Sequence, residues 1–430
     1  MSSASLQSLL EAAVARGAAP GLAAVAFNRD GAFAQAATGE RSVNTHKPLT
    51  LDTVFWLAST SKTLVSLAAL ILAEKHAFDL DSHDDLVKIV PELGKDYPGT
   101  KVWDLFDGKD DEGNWKFKRA EVGITLRHLL THTSGFNYSF VSEAGKWTDA
   151  ELEKEGIFNM KGDLRGINVP REYEAGQGWS YGRGPGFIGL FITRKSGLTL
   201  RQALRALIFD PLGLAKDDID TFLTPALRER YVDVAARHPV DGSFVSLPFH
   251  FETPQYEGDV PEGMSVLADA PACATLPAFA KILQAFLNDT KATPAHEPLL
   301  SPEAWAIASA DDLEKRGLSV GQHPFVKAAD PTLATTREKW AVPKDPASVK
   351  DDSLGFTLMQ TAKHRFETST GLQPGTLEWS GLANTYFFVD AARGLGAVVS
   401  GAFFPWGDPK MLDVRDEVFK WAGDNAPKVQ

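Results

Sequence analysis

The chain has 430 residues, with 44 Lys plus Arg against 56 Asp plus Glu, a formal charge of −12. That acidic balance argues against wrapping a nucleic acid, which needs excess basic side chains on one face. A single cysteine, Cys273, excludes an internal disulfide and a multi-cysteine zinc site, and reads as a small buried residue.

Residues 1–19 lack the basic start of a leader and predict an amphipathic helix with Leu6, Leu9, Leu10, Ala13 and Val14 inward. Two strand patterns follow at 21–28 and 32–38, joined by Arg29-Asp30-Gly31, a hairpin signal. A helix is expected at 60–75. Its apolar run, 64–73, is shorter than the ~20 residues a bilayer needs, so the expectation is a soluble, cytoplasmic protein without membrane contact. From about 85 to 340, helical patterns alternate with Pro/Gly-rich and charged loops. Helices are expected at 124–130, 186–195 and 276–288, and an exposed loop or hairpin at 104–121. Strands return at 354–360, 385–389 and 395–404, with a turn at Arg393-Gly394, and a helix closes the chain at 408–422. The economical fold is α+β: one antiparallel sheet from both chain ends, flanked by terminal helices, with a mostly helical domain inserted. The division is 1–85 with 341–430 against 86–340, with an active site in the cleft between.

The sharpest local feature is Phe55-Trp56-Leu57-Ala58-Ser59-Thr60-Ser61-Lys62-Thr63. Ser59 and Lys62 are three apart at a helix start, so the amine can reach the hydroxyl. A serine hydroxyl is a weak nucleophile until a base takes its proton. A lysine serves only if its pKa falls from ~10.4 toward neutrality, by burial or nearby positive charge. The apolar run that follows predicts such burial. The helix N-terminus adds positive potential and N–H groups for an oxyanion. The competing reading is a plain N-cap at Ser59 or Ser61 with Lys62 in solvent.

These residues, with Phe78-Asp79-Leu80-Asp81 after the helix, resemble the serine β-lactamase-related family of the class C type. That family includes family VIII carboxylesterases, D-aminopeptidases and statin-type fungal acyltransferases. The stretch from Ile124 through Thr125-Leu126-Arg127-His128-Leu129-Leu130-Thr131-His132 to Thr133-Ser134-Gly135 matches a second stretch of the family. The charged insertion before it resembles the esterase and acyltransferase branch. The resemblance implies a β-lactamase/transpeptidase-like fold. It also implies that Tyr181, in Trp179-Ser180-Tyr181-Gly182-Arg183-Gly184, is the phenolic base or proton shuttle. Arg183 stands where lactamases carry the Asn that binds a substrate amide, which puts β-lactam turnover in doubt. Trp379-Ser380-Gly381 stands where lactamases carry Lys-Thr-Gly on an edge strand. Trp379 thus replaces a carboxylate-binding cation with an apolar wall suited to a neutral ester. By the same resemblance the backbone N–H groups of Ser59 and Leu382 form the oxyanion hole, and Arg183, Trp379, Ser380 and Gly381 face the substrate. The stretch 258–275 departs from the family's glycine-rich pattern, and no site residue is carried over there.

Other motifs carry less. Gly178-Trp179-Ser180-Tyr181-Gly182 fits G-x-S-x-G, but polar, glycine-bearing residues precede it rather than the apolar strand of a nucleophile elbow. His128 and His132 lack the Glu of a zinc H-E-x-x-H helix and read as capping or loop hydrogen-bonding residues. The acidic run 107–112 has no EF-hand spacing and reads as a solvated loop.

The expected activity is hydrolysis or transfer of acyl groups from carboxylic esters through an acyl-enzyme on Ser59, with Lys62 or Tyr181 as the base. Phe136, Tyr138, Phe140, Trp379, Phe404 and Trp406 lie in or next to the expected rim loops, and Phe136 and Tyr138 join the expected substrate-binding set. The partners are a small-molecule ester or acyl donor and, for transfer, an alcohol acceptor. No metal or organic cofactor is required. The alternatives are a D-amino-acid amidase or β-lactam hydrolase, and a non-catalytic ligand-binding homologue.

Overall fold

The structure, a computed structural model, describes residues 5–157, 163–247, 268–287, 298–320 and 354–427. Its centre is a seven-stranded antiparallel sheet. In spatial order the strands are Leu354–Phe356, Ala362–His364, Leu377–Gly381, Thr385–Asp390, Leu395–Ser400, Gly21–Asn28 and Gly31–Gly39. The two chain ends meet where Gly21–Asn28 pairs with Leu395–Ser400, Val25 opposite Val398. The sheet built from both ends is therefore as expected.

Alternation along Gly21–Asn28 explains why helices cover both faces. Leu22, Ala24 and Ala26 pack with Leu6 and Leu10 of the first helix, Leu6–Ala15, and with Met411, Val414 and Phe419 of the last, Pro409–Asn425. Ala23, Val25 and Phe27 face the other way, into the core shared with the middle helices. The helix Leu276–Ala285 lies on this second face, with Phe279 5.7 Å from Phe387 between ring centroids. Each fully buried side chain of this size contributes about 1.5–3 kcal/mol. Leu9 and Val14 are half-buried and pack against the same cluster, so the inward face is as expected.

The segment 104–121 is a hairpin, Asp104–Lys109 with Trp115–Arg119. The pattern 395–404 breaks after Ser400: Phe403–Phe404 leaves the sheet and pairs in parallel with Ala235–Arg237. The pattern 354–360 ends as a strand at Phe356, and Gln360 turns back with φ 53° to hydrogen-bond Ser66 at 2.7 Å. Cys273 is buried, as expected. The proposed division at 340/341, the stretch 258–267 and the expected helix end at residue 288 lie outside the described residues. Among the described residues no helix is long and apolar enough to cross a membrane.

Candidate active site

Ser59 sits on a single 3-10 turn, Ala58–Ser61, that runs straight into the helix Lys62–Lys75. Neither Ser59 nor Ser61 caps this helix: the Ser61 hydroxyl donates to Ala58 O at 2.5 Å, and no side chain accepts from the first turn. The turn is strained, with Ala58 at φ 47°, a conformation that costs a non-glycine residue about 1–3 kcal/mol. Its surroundings hold it. Leu57 N–H donates to Ala272 O at 3.0 Å, and Thr60 Oγ1 donates to Leu57 O at 2.6 Å. The helix buries every residue from Lys62 to Leu70, so Lys62 is 2% exposed. Its Nζ lies 3.1 Å from Ser59 Oγ and donates to the Asp269 backbone O at 2.6 Å. The N-cap reading with a solvated lysine is thereby excluded.

Tyr181 arrives from a loop zipped to the stretch 131–138. Ser180 N–H donates to His132 O at 3.0 Å, and Tyr138 N–H donates to Tyr181 O at 3.2 Å. Gly182 is required there, because a Cβ would collide with the Phe136 carbonyl. Gly182 N–H donates to His132 Nδ1 at 3.4 Å. Burial, with the Lys62 charge nearby, pushes His132 well below the usual imidazole range, so it serves this loop as a neutral acceptor. Lys62 Nζ is 5.0 Å from the Tyr181 ring centroid. The Tyr181 hydroxyl is buried and has no hydrogen-bond partner among the described residues.

The third stretch is the strand Leu377–Gly381. It is not at the sheet edge, since Ala362–His364 pairs with it, but that ladder ends at Glu378. Beyond it the serine turn takes the neighbour's place: a Cβ on Gly381 would sit 2.6 Å from Leu57 O and 3.3 Å from Ala58 Cβ. This close approach is why glycine occupies the position, and it sets Leu382 beside Ser59 on one cavity wall.

The cavity holds about 100 Å3 and has an aromatic lining of Trp56, Tyr138, Phe140, Tyr181, Trp379 and Trp406. Ser59, Lys62, Asp269, Ser380 and Leu382 also line it. Trp406 is anchored by its Nε1–H to Ser380 Oγ at 3.1 Å. Asn384, at φ 59°, steadies the loop that carries Trp406 by donating to Phe403 O and Pro405 O, each at 2.8 Å.

Three expected substrate-binding residues, Gly381, Phe136 and Arg183, do not line this cavity; Gly381 is taken up by its close approach to the serine turn. Phe136 is buried against Phe187, ring centroids 5.4 Å apart, and supports the tyrosine loop from behind. Arg183 points away and is consumed by structure. Its guanidinium donates to Asp149 and, at 3.1 Å each, to Asn137 O and Gly166 O. Phe404 is half-buried next to the cavity rather than in its wall. Ser180 is 1% exposed and preceded by loop, not strand, so the elbow reading fails. His128 caps its helix, its Nδ1 accepting from Thr125 N–H at 3.2 Å, and burial with the Arg316 charge pushes its pKa down to about 4. Among the described residues no group of His, Cys, Asp or Glu is arranged to hold a metal ion.

Asp269 is the residue that sequence reasoning missed. Its carboxyl accepts a short hydrogen bond from the Tyr138 hydroxyl, and burial pushes its pKa up against the opposing pull of Lys62. The available signal was a lone acid in the otherwise apolar run 266–274.

The model of the Beta-lactamase family matches residues 6–416. The chain belongs to the beta-lactamase family. Within it, the lovastatin esterase of Penicillium rubens is 32% identical over 242 residues, covering 54% of this chain and 57% of that protein. A monacolin J acid methylbutanoyltransferase of Aspergillus terreus is 32% identical over 197 residues, 45% of each chain. The matched stretch thus spans about half the length of these two relatives. Esterase EstB of Burkholderia gladioli is 26% identical over 382 residues, covering 87% of this chain and 84% of that one. The unliganded simvastatin synthase LovD of Aspergillus terreus superposes with a TM-score of 0.74 at 23% identity, covering 97% of this chain and 98% of that one. That likeness establishes the fold of this beta-lactamase-family chain: mixed helices around an antiparallel sheet.

Proposed function

We propose that this chain is a serine esterase or acyltransferase that forms an acyl-enzyme on Ser59 from small carboxylic esters. The observation that carries the reading is the buried Lys62 amine 3.1 Å from the Ser59 hydroxyl in the wall of an aromatic cavity. The names of the relatives, an esterase and a methylbutanoyltransferase among them, support it.

In this mechanism Ser59 Oγ attacks the ester carbonyl carbon while its proton passes to the Lys62–Tyr181 pair. The oxyanion is met by the backbone N–H groups of Ser59 and Leu382. Tyr181, whose hydroxyl has no hydrogen-bond partner among the described residues, protonates the departing alkoxide. Acyl-Ser59 and free alcohol result. Water or a second alcohol then attacks the acyl carbon, gives its proton back through the same pair, and releases acid or a new ester.

Ester rather than β-lactam chemistry follows from the lining. Among the described lining residues Lys62 is the one cation, and Trp379 is an apolar wall 5.4 Å from the Tyr181 ring. The same reading takes residues 1–85 and 341–430 as one lobe and 86–340 as the other. Ser59, Lys62, Trp379 and Trp406 then come from the first lobe, and Tyr138, Tyr181 and Asp269 from the second.

The test is intact-protein mass spectrometry after a fluorophosphonate, with kcat/KM on p-nitrophenyl butyrate and on a cephalosporin. One adduct on Ser59, ester turnover and a far lower cephalosporin rate are expected. An unlabelled Ser59 with no ester turnover would overturn the proposal in favour of a ligand-binding homologue.

A further inference from the structure

Resting on the reading of Ser59 as the acylated group, we propose that Tyr138 and Asp269 form a clamp that seats the Lys62 amine against Ser59. A lysine ends a flexible four-carbon stem, and its reach to a hydroxyl three residues away is set by whatever else its nitrogen bonds. Here that is a peptide oxygen, Asp269 O, at 2.6 Å. The carboxyl of the same residue does not bond the amine; it turns to Tyr138.

The seat is a short irregular stretch that needs fastening on both sides. On one side Cys273–Thr275 pairs with Val54–Trp56, and Trp56 Nε1–H donates to Ala270 O at 3.3 Å. On the other side, among the described residues, the fastening is the Tyr138 hydroxyl on Asp269 Oδ1. Tyr138 is itself fixed to the tyrosine loop through Tyr181 O, with its ring 5.1 Å edge-on to Tyr181 and 5.3 Å stacked on Phe140. One hydroxyl therefore joins the loop that carries Tyr181 to the carbonyl that holds Lys62. Burial pushes the Tyr138 phenol well above its usual range, so it remains a donor across working pH. Lys62 and Arg183 are the cations acting on Asp269. Both residues of the clamp are positioning residues, since neither is asked to exchange a proton with substrate. A displacement of about 1 Å between reacting groups lowers a rate on the order of 100-fold, which is the scale of effect expected.

The experiment measures p-nitrophenyl butyrate kinetics and fluorophosphonate labelling rates on the full chain. Tyr138→Phe keeps the ring and removes the tether: kcat and the labelling rate fall together by about 10- to 100-fold while KM stays close to the wild-type value. Asp269→Ala falls to the same level, and the double variant falls no further, because the two side chains act as one unit. Asp269→Asn, which keeps an acceptor oxygen, recovers most of the rate. Wild-type kcat in Tyr138→Phe, losses that multiply in the double variant, a loss confined to KM, or Asp269→Asn as slow as Asp269→Ala would each overturn the clamp. Should Asp269→Ala not fold, Tyr138→Phe and Asp269→Asn decide alone, with melting curves as the control. Failure of the esterase reading is separate: Ser59→Ala would then still turn over ester. A dead, unlabelled Ser59→Ala beside a fully active Tyr138→Phe removes the clamp only.

Discussion

The serine turn and the stretch after Tyr181 each bury a cation to 2% exposure, and they treat it differently. Arg183 is matched by the Asp149 carboxylate and two carbonyls, so its planar fork has little left to offer. Lys62 hydrogen-bonds a hydroxyl and a peptide oxygen and, among the described residues, no carboxylate. A buried charge that is fully paired behaves as structure, whereas one left with neutral acceptors beside a cavity is placed for proton transfer. The contrast corrects the expectation that Arg183 contacts substrate, and it yields tests in which one cation governs rate and the other stability.

The largest effect is on rate. Ser59→Ala abolishes the covalent adduct, and Lys62→Ala and Tyr181→Phe each lower kcat by several orders of magnitude, because members of such a unit are not additive. Lys62→Ala leaves the melting temperature near or above wild type, since an unpaired buried cation is removed. Initial rates and thermal unfolding on the same preparations check both halves. A Lys62→Ala protein that melts early but works normally when folded would erase the distinction.

Arg183→Ala is the mirror image. It strands Asp149, whose side chain is 16% exposed, and breaking such a pair costs about 3 kcal/mol or more. The expected result is a clear fall in melting temperature with the Ser59 labelling stoichiometry of the folded fraction intact. An unchanged melting temperature with a raised KM for esters would instead return Arg183 to the substrate.

Gly381→Ala lies between the two, touching rate and stability together. Its Cβ would press on Leu57 O at 2.6 Å and push the strained turn that carries Ser59. Overpacking of this kind costs about 1–3 kcal/mol. The labelling rate falls with it, while Gly375→Ala, whose nearest neighbour is the Lys363 stem at 3.9 Å but whose φ is +93°, loses stability without the kinetic defect.

Much of this arrangement was legible in the chain, for identifiable reasons. The hairpin around Asp30-Gly31 and the helices at both ends follow from period and turn chemistry, which are local. Ser59 and Lys62 were legible because a three-residue spacing on a helix is a distance. Tyr181 and Trp379 became legible by resemblance to the family, not from local physics. What stayed hidden depends on long-range partners. Nothing near Arg183 in sequence announces Asp149, 34 residues away, and nothing near Lys62 announces Asp269, 207 away. The break after Ser400 was hidden too, because Phe403 and Phe404 continue the apolar pattern while pairing with a different sheet.

Asp269 gives the smallest and most specific test, through pH. Its carboxyl titrates above the usual carboxylate range because burial disfavours the charged form. An acid whose folded pKa is raised keeps its proton in the folded state after the unfolded chain has released it. Folding stability therefore declines as pH rises from the ordinary value near 3.8 up to the raised one, and stays lower beyond it. Asp269→Asn removes this penalty and keeps the acceptor for Tyr138. Its melting temperature should exceed wild type modestly at pH 7 to 8, with the gap narrowing toward pH 4. A gap that widens in acid would mean that Asp269 is held as a carboxylate by Lys62. The lysine would then be an ion-paired cation like Arg183, and the contrast between the two regions would fail.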